Sequence, residues 1–193
     1  MFDCILLCAG KGRRTKLTMN KVLYEVMGKP LYQYSLDCLL NINEIRKILL
    51  VVNEDDYNRF DSDIKNTYKK DSNRIELVIG GDERWDSVYN GLLRCNSEVC
   101  VIHDGARPLI KEQYVLDVYN SACINHAAIV AVKVKDTIKV VDDDNILNTL
   151  DRNRLYQAQT PQAVNKNMMI KGLDKLKFSN DNIYDDVMVF EKI

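Results

Sequence analysis

Cys4-Ile5-Leu6-Leu7-Cys8-Ala9-Gly10-Lys11-Gly12-Arg13-Arg14-Thr15-Lys16-Leu17-Thr18-Met19-Asn20-Lys21 is the stretch around which the chain is organised. The apolar run from Cys4 to Ala9 is short and has no helical stripe, so it reads as a strand buried on both faces. Gly10 and Gly12 break it where a helix would otherwise begin. The loop that follows carries Lys11, Arg13, Arg14, Lys16 and Lys21 with no acidic residue between Asp3 and Glu25, although the whole chain has 27 basic against 28 acidic residues. Glycines let backbone N–H groups approach a phosphate and the cations neutralise it, which is the chemistry of a polyphosphate cradle at the carboxyl end of a strand. The Gly-x-x-x-x-Gly-Lys-Ser/Thr spacing is absent, and Thr15 stands where the dinucleotide fingerprint has its third glycine. Taken alone, the Gly-x-Gly spacing fits a solvated basic turn equally well.

Length and composition bound the answer. The chain has 193 residues, which predicts a single domain over 1–193 with a core large enough to need no metal or disulfide staples. A hydrophobic content of 46% and a charged content of 28% are ordinary for a soluble globular protein. A net charge of −1 argues against a general nucleic-acid binder, which needs a basic surface rather than one basic loop. The start Met-Phe-Asp lacks a basic signal region and no apolar run approaches the roughly 18 residues of a membrane span, so the expected compartment is the cytoplasm. The 6 cysteines lie in or beside apolar runs without a Cys-x-x-Cys pair and read as reduced, buried small hydrophobes. With 2 histidines, His103 and His126, a three-histidine metal site is excluded.

Along the chain, strands alternate with helices. Pro30 opens a helix whose Leu31, Tyr34, Cys38 and Leu39 share a face. Ile45 to Val52 is a strand, Asp55 to about Lys69 a charged helix, and Ile75 to Ile79 a third strand. Gly80-Gly81-Asp82-Glu83-Arg84-Trp85-Asp86-Ser87-Val88 then puts a second glycine turn between a strand and a helix. Ligands of open parallel sheets sit outside the carboxyl ends of the strands, so both glycine turns would line one crevice. Glu98 to His103 is the fourth strand and ends in His103-Asp104-Gly105-Ala106-Arg107-Pro108. Asp104, a carboxylate at that edge, suits Mg²⁺ held together with phosphates; the plainer alternative is that it pairs with Arg107 to shape the turn. His103 reads as a satisfied core residue rather than a base. A helix over Glu112 to Asn125, with Tyr114, Val115, Val118 and Ala122 on one face, leads to a strand at Ala127 to Val132. Asp136 to Val141 and Ile146 to Leu150 then read as a protruding antiparallel hairpin with a polar tip. Residues 151–164, rich in hydrogen-bonding side chains, read as an ordered binding-site loop or as a plain surface connection, between which composition does not choose, and Met168, Met169, Leu173 and Leu176 mark a last helix.

Six pieces, in this order, resemble one family over essentially the whole chain: Ala-Gly-Lys-Gly-Arg-Arg with Lys21, Gly-Gly-Asp-Glu-Arg-x-Asp-Ser-Val, His-Asp-Gly-Ala-Arg-Pro, Lys-Asp-Thr-Ile-Lys, Leu-Asp-Arg and Gln-Thr-Pro-Gln. The family is the cytidylyltransferases of 2-C-methyl-D-erythritol 4-phosphate, of non-mevalonate isoprenoid biosynthesis. The resemblance implies an α/β, three-layer, Rossmann-like nucleotidyltransferase fold with a protruding β-hairpin arm at about 133–152. It also implies CTP and a polyol phosphate as substrates, Mg²⁺ as cofactor, and a homodimer formed through the arm. Carried over by position, Arg14 and Lys21 are the catalytic cations, and Ala9, Gly10, Gly12, Gly81, Ser87 and Ala106 bind the nucleotide, with Gly81 and Ser87 reading the cytosine. Asp104 is the metal carboxylate. Thr137, Arg152 and Thr160 contact the polyol phosphate, the first two delivered by the partner subunit's arm.

Three departures stand out. Thr15-Lys16 replaces the family's Met-Gly, Asn20 replaces the proline before the lysine, and the family continues past Ile193 with a lysine-bearing strand and a helix, so the chain reads as truncated. The implied reaction is attack of a phosphate oxygen on the α-phosphorus of CTP. A phosphomonoester with a second pKa of about 6 is largely dianionic at neutral pH and needs no general base. The competing readings are a ribitol 5-phosphate cytidylyltransferase, against which Lys133 to Lys139 and Leu150-Asp151-Arg152 weigh, and an inactive nucleotide-binding relative.

Overall fold

The structure, a computed structural model, describes residues 1–10, 19–176, 183 and 185–192. β1 (Phe2–Leu7) is buried along its whole length. Because successive strand side chains point to opposite faces, Cys4 and Leu6 enter one core while Ile5 and Leu7 enter another. A strand of this kind needs a neighbour on each edge and a helical layer on each face, and the rest of the chain supplies them.

In chain order, β2 (Glu25–Val26) and β3 (Lys29–Pro30) form a small hairpin before α1 (Leu31–Leu40). β4 (Ile45–Val52), α2 (Tyr57–Thr67), β5 (Ile75–Ile79), α3 (Arg84–Arg94), β6 (Val99–Asp104), α4 (Glu112–Asn125) and β7 (Ala127–Lys133) follow. The sheet runs in the order β5-β4-β1-β6-β10-β7, where β10 is Tyr156–Asn165. β1 pairs in parallel with β4 and β6, and β4 with β5. β10 is antiparallel to both β6 and β7. On one face, α1, α2 and α4 bury Leu36, Leu39, Phe60, Ile64, Val115 and Val118 against the sheet. On the other, α3 and α5 (Lys166–Leu176) bury Val88, Leu92, Met169 and Leu173. The result is the three-layer α/β architecture expected from the resemblance.

β8 (Lys139–Asp142) and β9 (Asn145–Thr149) form the arm. Asp143 and Asp144 join them with φ of 42° and 64°. Two left-handed residues suit the twist of a two-residue hairpin, and aspartate is among the few side chains that tolerate them. Both strands of the arm lie almost wholly at the surface. A short last helix, α6 (Met188–Glu191), packs against the α3 and α5 layer through Val189 and Phe190.

Four local expectations are corrected. The stretch 151–164 is not a loop: after a 3₁₀ turn at Arg152–Arg154, β10 fills the gap between β6 and β7. Its polar residues hide this, because a strand is specified by partners distant in sequence more than by its own composition. The buried face of α1 is Tyr32, Leu36 and Leu39, with Leu31, Tyr34 and Cys38 only half-buried. Similarly, Tyr114 of α4 stays exposed beside buried Val115 and Val118. Of the cysteines, all free, Cys4, Cys8, Cys95 and Cys100 are buried, whereas Cys123 is exposed because it follows Ala122 off the buried stripe of α4.

Candidate active site

The parallel strands β1, β5 and β6 end at one edge of the sheet. Because β10 runs the other way, its beginning lies at that same edge, and the amide of Asp104 donates to the Thr160 hydroxyl at 3.3 Å. Four loops therefore meet there.

The turn after β5 closes on the end of β1. A Cβ on Gly80 would stand 2.7 Å from the Ala9 side chain and 2.7 Å from Ser87 Oγ, and one on Gly81 2.3 Å from the Asp86 side chain. Only glycines allow this approach. The Gly81 amide donates to Ser87 Oγ at 3.1 Å, and that hydroxyl donates onward to the Glu83 carbonyl at 3.3 Å. A reciprocal capping box between Glu83 and Asp86 starts α3. Ser87 is thus a buried brace of the turn, while Gly81 beside it is exposed.

Lys21 heads a 3₁₀ turn, Lys21–Leu23, and is exposed. Asn20 holds that turn in place. Its amide nitrogen donates to the Cys8 carbonyl at 2.7 Å and to Asp56 at 2.9 Å, while its oxygen accepts from the Val22 amide at 3.3 Å. Asn53 braces Asp56 at 2.8 Å. Lys21 is thereby tied to the end of β1, two residues before Gly10. Gly12 and Arg14, like Lys11, Arg13 and Lys16, lie outside the described residues.

After β6, Asp104 is gripped from two sides. Arg84 Nη2 donates to Oδ1 at 3.2 Å and Arg107 Nε to Oδ2 at 3.1 Å. Arg84 also bonds both oxygens of the buried Asp186. Burial pushes the Asp186 carboxyl up, and Arg84 opposes that rise. Arg107 reaches Gln159 on β10 as well. Gly105 packs directly on Cys8, and Ala106 is half-buried beside it. His103, only 1% exposed, has its pKa pushed down by burial to about 4 and is neutral at physiological pH.

Among the described residues no cluster of three or more histidine, cysteine or acidic side chains could hold a metal by itself. The fit is instead to an ion shared with a ligand: Asp104 is a partly exposed carboxylate whose oxygens keep lone pairs beyond those the arginines use. Mg²⁺ takes one or two carboxylates plus phosphate oxygens in such settings.

Thr137 and Arg152 lie on the arm. Both are exposed, and Arg152 donates to the Lys135 carbonyl at 2.9 Å, near the arm's base. No hydrogen bond or ion pair among the described residues joins either of them to Lys21, Ser87 or Asp104. Ala9, Gly81, Ser87, Asp104 and Thr160 are brought together within one chain, and the arm residues are not. Neither Arg84 nor Asp186 is singled out by the sequence, and Asn20, marked there only as a departure from the family's proline, gains its bracing role from the structure. Arg84 sits inside the quoted glycine-turn motif and could have been suspected, whereas nothing local marks Asp186.

A parallel-dominated sheet with helices on both faces, and glycine turns, a lysine and a carboxylate gathered at its carboxyl edge, defines an α/β nucleotidyltransferase. More particularly, the chain belongs to the IspD family: the family model described as "IspD: 2-C-methyl-D-erythritol 4-phosphate cytidylyltransferase" matches residues 3–193. The chain is 40% identical over 163 residues to the 2-C-methyl-D-erythritol 4-phosphate cytidylyltransferase of Bacillus licheniformis, covering 84% of this chain and 70% of that one. It is 35% identical over 195 residues to the enzyme of the same name from Clostridium botulinum, covering 99% and 85%. The crystal structure of 4-diphosphocytidyl-2C-methyl-D-erythritol synthase from Anaerococcus prevotii superimposes with a TM-score of 0.85 at 32% identity, covering 98% of this chain and 81% of that one. These relatives carry the methylerythritol name rather than the ribitol one, which bears out the first of the readings weighed from sequence.

Proposed function

We infer that the chain transfers the cytidylyl group of CTP to 2-C-methyl-D-erythritol 4-phosphate and releases pyrophosphate. The observation that carries this reading, beyond family membership, is the convergence at one sheet edge of the Gly80–Ser87 turn, Asp104 and the Lys21 turn. A phosphate oxygen of the polyol phosphate attacks the α-phosphorus, and the bond to the bridging oxygen of the leaving pyrophosphate breaks. The nucleophile is already anionic, so the histidine nearest the site can be buried and neutral without loss. The difficulty is repulsion between two anions, and Lys21, an exposed cation on its braced turn, is proposed to offset that charge. The exposed Gly81 stretch, held by Ser87, offers backbone groups to the cytosine.

Mg²⁺ would be held by Asp104 together with the triphosphate, and there it supplies charge neutralisation. Thr160, beside Asp104, is proposed to meet the polyol phosphate. Thr137 and Arg152 are proposed to reach it from a second copy of the chain, as the family resemblance implies and as accords with the lack of any hydrogen bond or ion pair, among the described residues, from either of them to Lys21, Ser87 or Asp104. The arm also exposes Val141, Ile146 and Leu147, apolar side chains that a partner would cover. A cytoplasmic setting accords with six free cysteines, and no helix among the described residues is long and apolar enough to cross a membrane.

The test is pyrophosphate release with CTP and either 2-C-methyl-D-erythritol 4-phosphate or ribitol 5-phosphate. Release with the first, and little with the second, is expected. Release with neither would refute the assignment.

A further inference from the structure

His103 faces three groups whose hydrogen-bonding roles can be worked out. Its Nε2 lies 3.0 Å from the Arg107 carbonyl oxygen. A carbonyl oxygen only accepts, so Nε2 carries a proton. The Ser35 hydroxyl, 3.5 Å from Nε2, donates to the same carbonyl at 3.2 Å and so does not compete. The opposite tautomer would set a bare nitrogen against an oxygen lone pair at 3.0 Å. The buried ring is neutral and has one N–H to give, which leaves Nδ1 bare. Nδ1 lies 2.9 Å from Thr160 Oγ1 and must accept. The Thr160 hydroxyl therefore spends its only proton on His103, while one of its lone pairs takes the Asp104 amide. What remains on this half-buried hydroxyl is one acceptor position.

We propose that His103 is a positioning residue that fixes the polarity of Thr160, so that Thr160 meets its substrate only as an acceptor and engages a hydroxyl group of the polyol phosphate rather than its phosphate. A phosphate dianion brings acceptors alone and finds no proton at Thr160. A polyol hydroxyl brings the missing donor. The orientation of the substrate, hydroxyls toward Thr160 and phosphate toward the cations, follows from a tautomer set in the core. This rests on the proposed reaction only in taking Thr160 to face the polyol phosphate.

The tautomer is read directly by nitrogen-15 NMR of histidine-labelled protein near pH 7.5. There are 2 histidines, and His103→Gln identifies the signals. A protonated Nε2 and a bare Nδ1 are expected; the reverse pattern would overturn the proposal whatever the enzyme's activity. The second arm is kinetic. His103→Gln keeps a donor near the place of Nε2 but removes the acceptor at Nδ1, freeing the Thr160 proton, whereas His103→Asn keeps an acceptor near Nδ1. His103→Gln is expected to raise KM for the polyol phosphate roughly fivefold to tenfold, with KM for CTP changed less than about twofold. His103→Asn should recover most of that loss. In a Thr160→Val background, His103→Gln should have no further effect. Equal rises in both KM values, or effects that multiply in the double variant, would show a merely structural histidine. If the parent chain turned over no polyol phosphate, the proposed reaction would fail, and the tautomer measurement would still decide this inference.

Discussion

Arg84 Nη1 lies 2.6 Å from Oδ1 of Asp186, across 102 residues of sequence. The pair joins the last described segment to the edge where Asp104 sits, because the same guanidinium also holds Asp104 at 3.2 Å. Asp186 is further anchored through its backbone: its amide and that of Val187 both donate to the Gln162 side-chain oxygen of β10. Asp186→Ala would strip Arg84 of its buried partner. Breaking a fully buried ion pair costs about 3–5 kcal/mol, and since Arg84 is partly exposed and keeps Asp104, a loss of about 2–3 kcal/mol is expected in urea unfolding. A loss under about 0.5 kcal/mol, the scale of an ordinary surface change, would mean that the pair does not hold the segment.

Lys21 and Asn20 should differ in degree. Lys21→Ala is expected to lower turnover by roughly 10²–10³, the scale for losing one preorganised charge-stabilising group. Asn20→Ala leaves the lysine but cuts the turn from the Cys8 carbonyl and Asp56, so a loss of roughly tenfold is expected from misplacement alone. Steady-state pyrophosphate release measures both. Parental turnover in Lys21→Ala would remove that residue from the chemistry, and an Asn20→Ala variant as impaired as Lys21→Ala would show that Asn20 does more than hold the turn.

Nucleotide choice should pass through the Gly80–Ser87 turn. CTP should be strongly preferred over UTP, because a site built to hydrogen-bond one base edge leaves its polar groups unpaired with another. Ser87→Ala frees the Gly81 amide from its 3.1 Å acceptor and should narrow that preference while leaving KM for the polyol phosphate near its parental value. Competition assays with the two nucleotides give the ratio, and an unchanged ratio would take the turn out of base recognition.

The arm makes the sharpest test of subunit sharing. If each site takes Lys21 from one chain and Arg152 from the other, Lys21→Ala and Arg152→Ala are each nearly inactive. Their heterodimer then has one site with both defects and one with neither. With free re-pairing of equal amounts, half the dimers are mixed and half their sites intact, so roughly a quarter of parental activity should return. Exchange of subunits is checked by mass spectrometry of differently tagged chains. No recovery despite that exchange would place each site within one chain.

The sequence by itself determined the α/β alternation, because strand and helix periodicity, glycine breaks and turn residues are local signals. Ile45–Val52, Ile75–Ile79 and Glu112–Asn125 lie where the pattern puts them. It also marked Gly81 and Asp104, since glycine turns and a carboxylate at strand ends carry their chemistry in their residue types, whereas Ser87 was marked only through the resemblance of its motif to the family. Tertiary structure alone decided how those groups are held. Nothing local distinguishes β10 from a polar loop, because its identity comes from ladders with β6 and β7, yet its antiparallel course is what carries Thr160 to Asp104. The grip of Arg84 on Asp186, the anchoring of Lys21 through Asn20 and Cys8, and the polarity of Thr160 set by His103 all join residues far apart in the chain. Such partners are chosen by which side chains the packed core leaves within about 3 Å of one another, a distance that no window of sequence contains.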